Sequence, residues 1–293
     1  MAHRESLTVL VVTHRHENYI AEAIESVERQ EDVEINRIII SDDCSPDDTV
    51  MVARETIERL GMNAEVLESV QNMGITRHYQ QLFNNLDTDL VAVLEGDDYW
   101  FSNLKLSRQV SLMREYPRAS SCSQTFLLYD QDSNSMRTGD FGSGALSILG
   151  TETLIRERAG YCFSNMMYRV DSLRRIPQEI YSIPTAYDWI VNILVSRHGP
   201  LIYQDLPGIV HRVSQNGSWE GLTLAAQRES MIEGIESYMP YLDEYSAQIF
   251  AIALGEAKRD HNEAAMPRPI RFGLRLLRKS GERIKRLAGS QVR

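Results

Sequence analysis

Three carboxylates crowd into one short segment of this chain, Glu95–Trp100, which reads EGDDYW. They directly follow Leu90–Leu94, whose continuous apolar run predicts a buried strand. Carboxylates held this close disfavour one another's ionisation, so a positive charge is expected among them. A divalent cation such as Mg²⁺, which favours one or two carboxylates plus phosphate oxygens, would supply that charge and carry a substrate diphosphate. The alternative is a solvated acidic turn, because aspartate is common in turns.

Two more polar clusters follow predicted strands. The apolar run 7–12 predicts a strand that leads into Thr13-His14-Arg15, and the run 35–41 predicts one that leads into Asp42-Asp43. The glycine-rich signatures of dinucleotide sites and P-loops are absent after the first strand. A phosphate ligand would therefore be held by other means, and a metal bound to carboxylates fits.

The elements around these clusters alternate between strand and helix patterns. Helical spacing of apolar residues covers 20–27, 50–60 (begun by Asp47 or Asp48 and ended by Gly61) and about 76–86, and a short strand is predicted over 64–67. Alternation of this kind predicts an α/β fold with a mostly parallel sheet and helices on both faces. Right-handed crossovers bring the carboxyl ends of the strands to one edge, where ligands bind in such sheets.

The second half of the sequence is less regular. The patterns predict helices over 104–114 and 186–197, a strand over 119–129, a polar loop over 130–145, and a helical region beyond Thr223.

Length and composition are those of one large globular α/β domain with an appendage: 293 residues, 43% of them hydrophobic. No apolar run reaches the roughly 18 residues of a membrane span, and the first one is too short for a signal peptide. The three cysteines, Cys44, Cys122 and Cys162, lack metal-ligand spacing. These features predict a cytoplasmic protein with free thiols.

The net charge of −10 is unevenly distributed. Residues 266–293 carry +8 and the remainder carries −18, which argues against nucleic acid as a partner. From about residue 268 the tail has the pattern of a basic amphipathic helix, which indicates peripheral contact with a membrane surface. The alternative is a helix that docks on the acidic body or on a partner chain.

Seven segments of the chain together resemble the family-2 glycosyltransferases, which have the GT-A (Rossmann-like) fold. They span roughly residues 7–218, in the family's order: VVTHRHENYIAEAIESV, IIISDDCSPDDT, QNMGI, LEGDDYW, SNMMYR, AYDWIVNILVSRHG and HRVSQNGS. The resemblance implies a GT-A domain over 1–222, with a nucleotide-binding half (1–100) and an acceptor half (101–222). The remainder, 223–293, is then a helical C-terminal region.

The resemblance also implies an activity. The family transfers a sugar from a nucleotide-sugar donor (UDP-, dTDP- or GDP-sugar) to an acceptor hydroxyl with inversion, using Mg²⁺ or Mn²⁺. A saccharide or lipid-linked acceptor in polysaccharide or glycoconjugate biosynthesis is expected. Two other functions stay open: a sugar-phosphate nucleotidyltransferase, which usually has a glycine-rich loop where this chain reads THRHENY, and a non-catalytic protein that binds sugar nucleotides.

Matching the family residue by residue assigns the nucleoside site. Asp43 corresponds to the carboxylate that hydrogen-bonds the base, and Asp42 shapes the same turn. Thr13 and Arg15 lie where the family holds the nucleoside. Asn72 belongs to a turn before the third helix, either as a donor contact or only as part of a turn that requires glycine at position 74.

The acidic segment corresponds to the family's metal motif. Asp97 and Asp98 match it as candidate metal ligands, with Asp98 the expected direct ligand, and Asp97 is also expected to contact the donor nucleotide. Glu95 stands where the family commonly has its first Asp, and its longer side chain leaves its role open. Trp100 either packs at the sheet edge or stacks on a sugar.

One departure concerns the segment that ends the family's catalytic domain, commonly Tyr-Arg-x-His. Here Arg212 aligns, but Ser214 occupies the usual His position and His211 the usual Tyr position. Either His211 serves as a metal ligand from another direction, or Arg212 alone contacts the diphosphate and His211 is structural.

Asp188 matches the family's catalytic base. An acceptor hydroxyl is a poor nucleophile until a positioned carboxylate takes its proton, and inversion needs one base on the face opposite the leaving group. The neighbours Tyr187 and Trp189 would partly desolvate Asp188 and raise its pKa. The alternative is a helix N-cap, because a helix is predicted to start there.

Overall fold

The computed structural model describes residues 5–137, 143–157, 162–183, 188–214 and 222–265. This part of the chain forms one ten-stranded mixed sheet. Its strands are β1 (Leu7–Thr13), β2 (Arg37–Asp42), β3 (Glu65–Glu68), β4 (Leu90–Glu95), β5 (Tyr99–Trp100), β6 (Ser121–Asp130), β7 (Ser135–Arg137), β8 (Leu146–Leu149), β9 (Met167–Arg169) and β10 (Leu201–Val213). Its α-helices are α1 (Ile20–Glu28), α2 (Thr49–Leu60), α3 (Ile75–Asn84), α4 (Lys105–Glu115), α5 (Thr151–Glu157), α6 (Val170–Arg174), α7 (Asp188–Ser196), α8 (Leu224–Tyr238) and α9 (Glu244–Ala265).

The sheet has the spatial order β3-β2-β1-β4-β9-β6-β10-β5, with β7 beside β6 and β8 beside β10. Strands β3, β2, β1 and β4 are parallel neighbours. Strand β9 is antiparallel to both β4 and β6, and β10 is parallel to β6. The six strands β1–β4, β6 and β10 therefore all end at one edge, which confirms the expected mostly parallel α/β sheet.

Hydrophobic clusters cover both faces of the sheet, because successive side chains of a strand point to opposite faces. Leu10 and Val12 of β1 belong to one cluster, and Val9 and Val11 belong to the other. Helices α1, α2 and α4 pack on the second face, and α3, α7, α8 and α9 on the first. The continuous apolar run of β1 is thereby explained, since a strand buried on both faces has no polar side.

Most predicted elements of the first half are confirmed within two residues. Helix α2 ends at Gly61, whose φ of 66° is the left-handed conformation expected of a C-terminal glycine. At its start Asp48 holds the N-cap position without a capping hydrogen bond, while the neighbouring Asp47 accepts from the Thr49 N–H and hydroxyl.

The second half holds elements that the patterns did not predict. The polar stretch 130–145 was expected to be a loop, but β7 lies within it and pairs antiparallel with the end of β6. The pairing satisfies backbone N–H and C=O groups, but β7 has no apolar face. The sequence therefore shows no hydrophobic pattern there. Strand β10 was also missed, because its pairing with β6 shifts register around Pro207 and the residues there break strand alternation.

Trp100 packs inside the protein. Its ring is 1% exposed, its Nε1 donates to the Ser164 carbonyl at 2.9 Å, and the buried Lys105 ammonium lies 4.5 Å from the ring centre. Of the two alternatives, packing at the sheet edge is therefore the one observed.

The chain beyond Thr223 is helical through α8 and α9, as expected. The predicted basic amphipathic tail, from about residue 268, lies outside the described residues. Among the residues described, no helix combines the length and apolar character needed to cross a bilayer.

Gly199 in the turn before β10 should tolerate no side chain. A Cβ there would lie 2.0 Å from the Arg118 carbonyl oxygen, and that backbone is held by hydrogen bonds between Ser120 and residues 199–200. We expect Gly199→Ala to lower the free energy of unfolding by about 3 kcal/mol, in the range of overpacking. Urea denaturation measures it. Gly150→Ala is the matched control, since nothing lies within 4 Å of a Cβ there. Equal stability of the two variants would contradict the prediction.

Candidate functional site

The clusters that follow β1, β2 and β4 meet at the carboxyl edge of the sheet. In the register of the parallel strands, Thr13 pairs with Asp42 and Val12 pairs with Glu95. The ends of three strands that are separate in sequence are thus neighbours, with β1 in the middle. The expected convergence is observed.

A fourth segment joins this edge through β10. Strand β5 pairs antiparallel with β10, so that Tyr99 lies opposite Val210. The residues one step further along, Asp98 and His211, are then side by side although they are 113 positions apart. His211 Nδ1 lies 3.0 Å from Asp98 Oδ2.

Asp98 is fully buried, and each of its oxygens has fixed partners. The Arg212 backbone N–H donates to Oδ1 at 2.9 Å, and the Ser164 hydroxyl donates to Oδ2 at 2.5 Å. Charge-assisted hydrogen bonds of this kind lock the orientation of a carboxylate. The direction in which Asp98 faces His211 is therefore set by the fold.

His211 supplies the positive charge expected among the carboxylates. Burial alone would lower the pKa of His211, but the charge of Asp98 and the hydrogen bond to it outweigh burial and raise that pKa to about 10. The ring of Phe126 meets the imidazole edge-on, with ring centres 6.0 Å apart. At neutral pH and without a bound cation, His211 is an imidazolium paired with Asp98.

Asp98 and His211 also fit a divalent cation. Two adjacent ligand atoms of an octahedral ion with bonds of about 2.1 Å lie about 3.0 Å apart, which is the separation observed between Oδ2 and Nδ1. Among the described residues, Cys162 is the third side chain that offers a ligand atom to this cluster.

Glu95, at the end of β4, is half-buried, whereas Asp98 of the same motif is fully buried. Burial and the charges of Asp97, Asp98 and Asp188 raise the pKa of Glu95 well above its usual range. The Tyr79 hydroxyl lies 3.4 Å from its Oε1. The neutral form of Glu95 therefore persists to higher pH than for a solvated glutamate, and that form is a poor metal ligand.

Asp97 points the other way, with 41% of its side chain exposed and the His16 Nε2 atom 3.8 Å from its carboxylate. Gly96 makes this turn possible. A Cβ at position 96 would lie 2.8 Å from both His16 Nδ1 and Thr13 Oγ1, so only glycine lets the acidic turn approach the end of β1 this closely.

Arg212 fastens the acidic turn to α1. One of its Nη atoms donates to the Asp97 carbonyl at 2.5 Å, and the other bonds the Glu22 carboxylate. The guanidinium also lies over the rings of Tyr99 and Tyr19, 4.8 and 5.3 Å from their centres. Its expected contact with a diphosphate stays a prediction, while its contacts here hold the turn in place.

Asp42 and Asp43 shape the turn after β2 and the loop that leads to α3. Asp42 accepts from the Ser45 N–H at 2.7 Å and from its hydroxyl at 2.5 Å. The two oxygens of Asp43 accept from the N–H groups of Met73 and Gly74, each at 2.9 Å. Gly74 has φ 80° and ψ 151°, a conformation that favours glycine. Each Asp43 oxygen retains acceptor capacity for a base.

The other predicted nucleoside contacts surround this turn. Thr13 is buried, with Oγ1 3.2 Å from His16 Nδ1. Arg15 is exposed, and its N–H donates to the Ser45 hydroxyl at 2.9 Å. The exposed Asn72 accepts from the Gly74 N–H at 3.0 Å. The structure thus brings all of these residues to one end of the site.

Asp188 is the first residue of α7 and lies on the other side of the acidic turn. Its charge raises the pKa of Glu95, Tyr79 and Tyr168, so the carboxylate is close to all three. Trp189 stacks on Phe250 of α9, with ring centres 6.1 Å apart. Tyr187, expected to desolvate Asp188, lies outside the described residues.

Sequence reasoning missed the part played by residues 162–165. The Ser164 hydroxyl bonds Asp98 and accepts from the Glu95 N–H at 3.1 Å, and Cys162 joins the ligand cluster. The only signal was the segment SNMMYR, which begins at Ser164 but carries no ligand spacing. His16 and Glu22 were missed for the same reason, since each contacts a residue that is distant in sequence.

Comparison with known proteins gives one family. A family model described as glycosyl transferase family 2 matches residues 8–176. The uncharacterised proteins Rv1520 of Mycobacterium tuberculosis and Mb1547 of Mycobacterium bovis are each 28% identical to this chain over 116 residues. Those matches cover 40% of this chain and 34%, about a third, of the relatives' length.

Solved structures with the same fold include TarS and a mannosyltransferase. TarS 1–349 of S. aureus in complex with UDP-GlcNAc is 17% identical, with a TM-score of 0.64 over 85% of this chain and 71% of that chain. The mannosyltransferase PcManGT from Pyrobaculum calidifontis, in complex with GDP-Man and Mn²⁺, is 14% identical, with a TM-score of 0.62 over 95% of this chain and 81% of that chain. At these identities the likeness shows the fold alone.

Proposed function

This chain belongs to glycosyl transferase family 2, and from that premise we propose that it moves a sugar from a nucleoside diphosphate sugar to an acceptor hydroxyl, with inversion at the anomeric carbon. The observation that carries this proposal is the contact between Asp98 and His211. It joins a carboxylate and an imidazole at the edge of the sheet where α/β folds bind ligands, beside the candidate base Asp188.

The donor nucleoside binds in the turn between β1 and β2 and the loop before α3. Asp43 hydrogen-bonds the base, and Asp42 holds the turn that presents it. Thr13, Arg15 and Asn72 contact the nucleoside. The supporting observation is that Asp43 ties these segments together while keeping acceptor capacity. UDP, dTDP and GDP sugars are the candidate donors, and the mannosyltransferase and TarS complexes with GDP-Man and UDP-GlcNAc agree with this class.

Asp98 and His211 hold Mg²⁺ or Mn²⁺, and Asp97 and Arg212 lie toward the diphosphate. The bound cation supplies Lewis-acid charge to the leaving nucleoside diphosphate. The partners of Asp98, Ser164 and the Arg212 N–H, orient the ligand as outer-shell groups commonly do. The Mn²⁺ in the mannosyltransferase complex agrees with metal use in this fold.

Asp188 takes the proton of the acceptor hydroxyl as that oxygen attacks the anomeric carbon. The neighbouring Glu95, whose pKa is raised by burial and by the charges of Asp97, Asp98 and Asp188, is a less suitable base at neutral pH. The Trp189 N–H donates to Asp188 Oδ1 at 2.7 Å and the Trp189 ring stacks on Phe250, so the start of α7 that carries the carboxylate is anchored.

We assign donor binding to residues 1–100 and acceptor binding to 101–222 of one GT-A domain, with 223–293 as a helical C-terminal region. The acceptor is a saccharide or a lipid-linked glycan. A lipid-linked acceptor would suit contact of the basic tail from about residue 268 with an anionic membrane, where each basic residue contributes about 1 kcal/mol.

Nucleotide binding tests the proposal directly. We expect calorimetric titration to show selective binding of one of UDP, dTDP and GDP in the presence of Mn²⁺, and binding at least tenfold weaker in EDTA. The reason is that Asp98 and His211 would hold the cation, whose charge would favour binding of the diphosphate. Binding of no diphosphate, or binding indifferent to metal, would contradict the proposed donor site.

Tight, metal-dependent binding of the nucleotide without turnover of any donor sugar would instead favour the non-catalytic alternative. Release of nucleoside diphosphate, measured with each sugar of the selected nucleotide and a panel of saccharide and lipid-linked acceptors, separates the two functions.

A further inference from the structure

Three side chains with metal-binding atoms converge from separate parts of the chain. Asp98 precedes β5, Cys162 precedes the short helical turn Phe163–Asn165, and His211 lies near the end of β10. One ligand atom of each lies within 4.8 Å of those of the other two, which makes them the one such group of three among the described residues. Asp98 and His211 were expected as metal ligands from the family resemblance, but Cys162 was not, because the three cysteines have no ligand spacing.

Cys162 is fixed by the same turn that holds Asp98. The Asn165 N–H donates to the Cys162 carbonyl at 3.1 Å, and the Ser164 hydroxyl of that turn donates to Asp98. The backbone of Cys162 is therefore held by the turn that also orients Asp98, and Asp98 contacts His211. A preorganised set of ligands of this kind lowers the cost of binding an ion.

A disulfide or a reactive thiol would not explain the position of Cys162. Cys162 is 9% exposed and forms no disulfide. Reactive cysteines lie in electropositive, partly exposed surroundings, whereas this thiol faces the carboxylates of Asp98, Glu95 and Asp188. A buried sulfur atom beside carboxylates is instead suited to bind a cation. The positive charge of the cation would offset the repulsion between the carboxylates and a thiolate.

We propose that Cys162 is a third protein ligand, with Asp98 and His211, for a divalent cation that accepts sulfur, so that this site prefers Zn²⁺ or Co²⁺ to Mg²⁺. Thiolate and imidazole are typical zinc ligands, while Mg²⁺ is bound almost wholly through oxygen. Three protein ligands leave a fourth position, which fits a diphosphate oxygen. The inference rests on the proposed metal site and adds a ligand and a metal preference to it.

The geometry allows this coordination with a small adjustment. With Zn–S of about 2.3 Å and Zn–N and Zn–O of about 2.0 Å, the ligand atoms of a tetrahedral ion lie roughly 3.3–3.6 Å apart. The observed separations run from 3.0 Å to no more than 4.8 Å. Binding then requires the wider separations to shrink by up to about 1.3 Å, and it releases the thiol proton of Cys162 and the Nδ1 proton of the His211 imidazolium.

Cobalt binding tests the sulfur ligand without reference to activity. We expect wild-type protein with Co²⁺ to show a sulfur-to-cobalt charge-transfer band in the near ultraviolet, and Cys162→Ala to lack it. The Kd for Zn²⁺ should rise at least about tenfold in Cys162→Ala and the Kd for Mg²⁺ should not change. Cys44→Ser, at an exposed cysteine outside the cluster, is the matched control and should behave as wild type.

A wild-type spectrum without the band would overturn the inference, and this result needs no variant to fold. A band that survives Asp98→Asn, or equal Zn²⁺ affinities of wild type and Cys162→Ala, would overturn it as well. If Mn²⁺-dependent nucleotide binding is intact while the band is absent, only the Cys162 assignment is wrong. If nucleotide binding ignores metal altogether, the proposed donor site is wrong too.

Discussion

Replacing Asp98 with asparagine is expected to lower the rate of sugar transfer about 10³-fold. The bound cation is worth several kcal/mol of charge stabilisation to the leaving group, and each 1.36 kcal/mol corresponds to tenfold in rate. The neutral amide keeps the shape of Asp98 but has only one acceptor oxygen. It would be a weak ligand facing His211. The measurement is kcat/KM with the donor that the titration selects, together with the Kd of the nucleotide with Mn²⁺.

The variant must be shown to fold, because it removes the partner of a buried imidazolium. Loss of that pairing should lower the free energy of unfolding by about 1–3 kcal/mol, which thermal unfolding will report. Asp171→Asn is the control, since Asp171 is exposed on α6 and bonds only the exposed Arg175 in the described contacts. Wild-type kcat/KM and wild-type metal-dependent binding in Asp98→Asn would refute the proposed role of Asp98.

Asp188→Asn should separate chemistry from donor binding. We expect kcat to fall about 10²–10⁴-fold, the usual contribution of a general base, because an amide cannot take the acceptor's proton. The Kd of the nucleotide should stay within about twofold of wild type, since Asp43 and Asp98 hold the donor. Steady-state rates and calorimetry on the same preparation measure both quantities.

Helix α7 should remain in place in that variant. Trp189 stacks on Phe250 and meets Tyr238 edge-on, and neither contact involves the carboxylate. Unchanged thermal stability is therefore expected, with Asp171→Asn again as the comparison. If kcat is unchanged, Asp188 serves only the start of α7. If nucleotide affinity falls with kcat, the residue acts on the donor rather than on the acceptor.

The residues of the first half were predictable because their signals are local. A strand buried on both faces needs a continuous apolar run, as in β1 and β4, and the end of a helix needs glycine in a left-handed conformation, as at Gly61. Because strands and helices alternate along the chain, the strands lie parallel and their carboxyl ends meet at one edge of the sheet. The sequence alone therefore predicts that Thr13, Asp42 and Glu95 lie close together.

The second half was less predictable because its pairings are non-local. Strand β10 bends around Pro207, β7 has no apolar face, and β5 is only two residues long. None of these leaves a periodic pattern of its own. Their positions follow from hydrogen bonds to strands that lie far away in sequence.

The sequence by itself determined the class of sheet, the acidic turn at its carboxyl edge, and the resemblance from which the proposed roles of Asp43, Asp98 and Asp188 derive. Only the tertiary structure decided the partners of Asp98. The pairing of β5 with β10 sets His211 against it, the turn 163–165 adds Ser164, and Cys162 just before that turn lies nearby. The physical reason is that periodicity reports which face of an element is buried, whereas strand register and the packing of distant turns decide which polar groups meet.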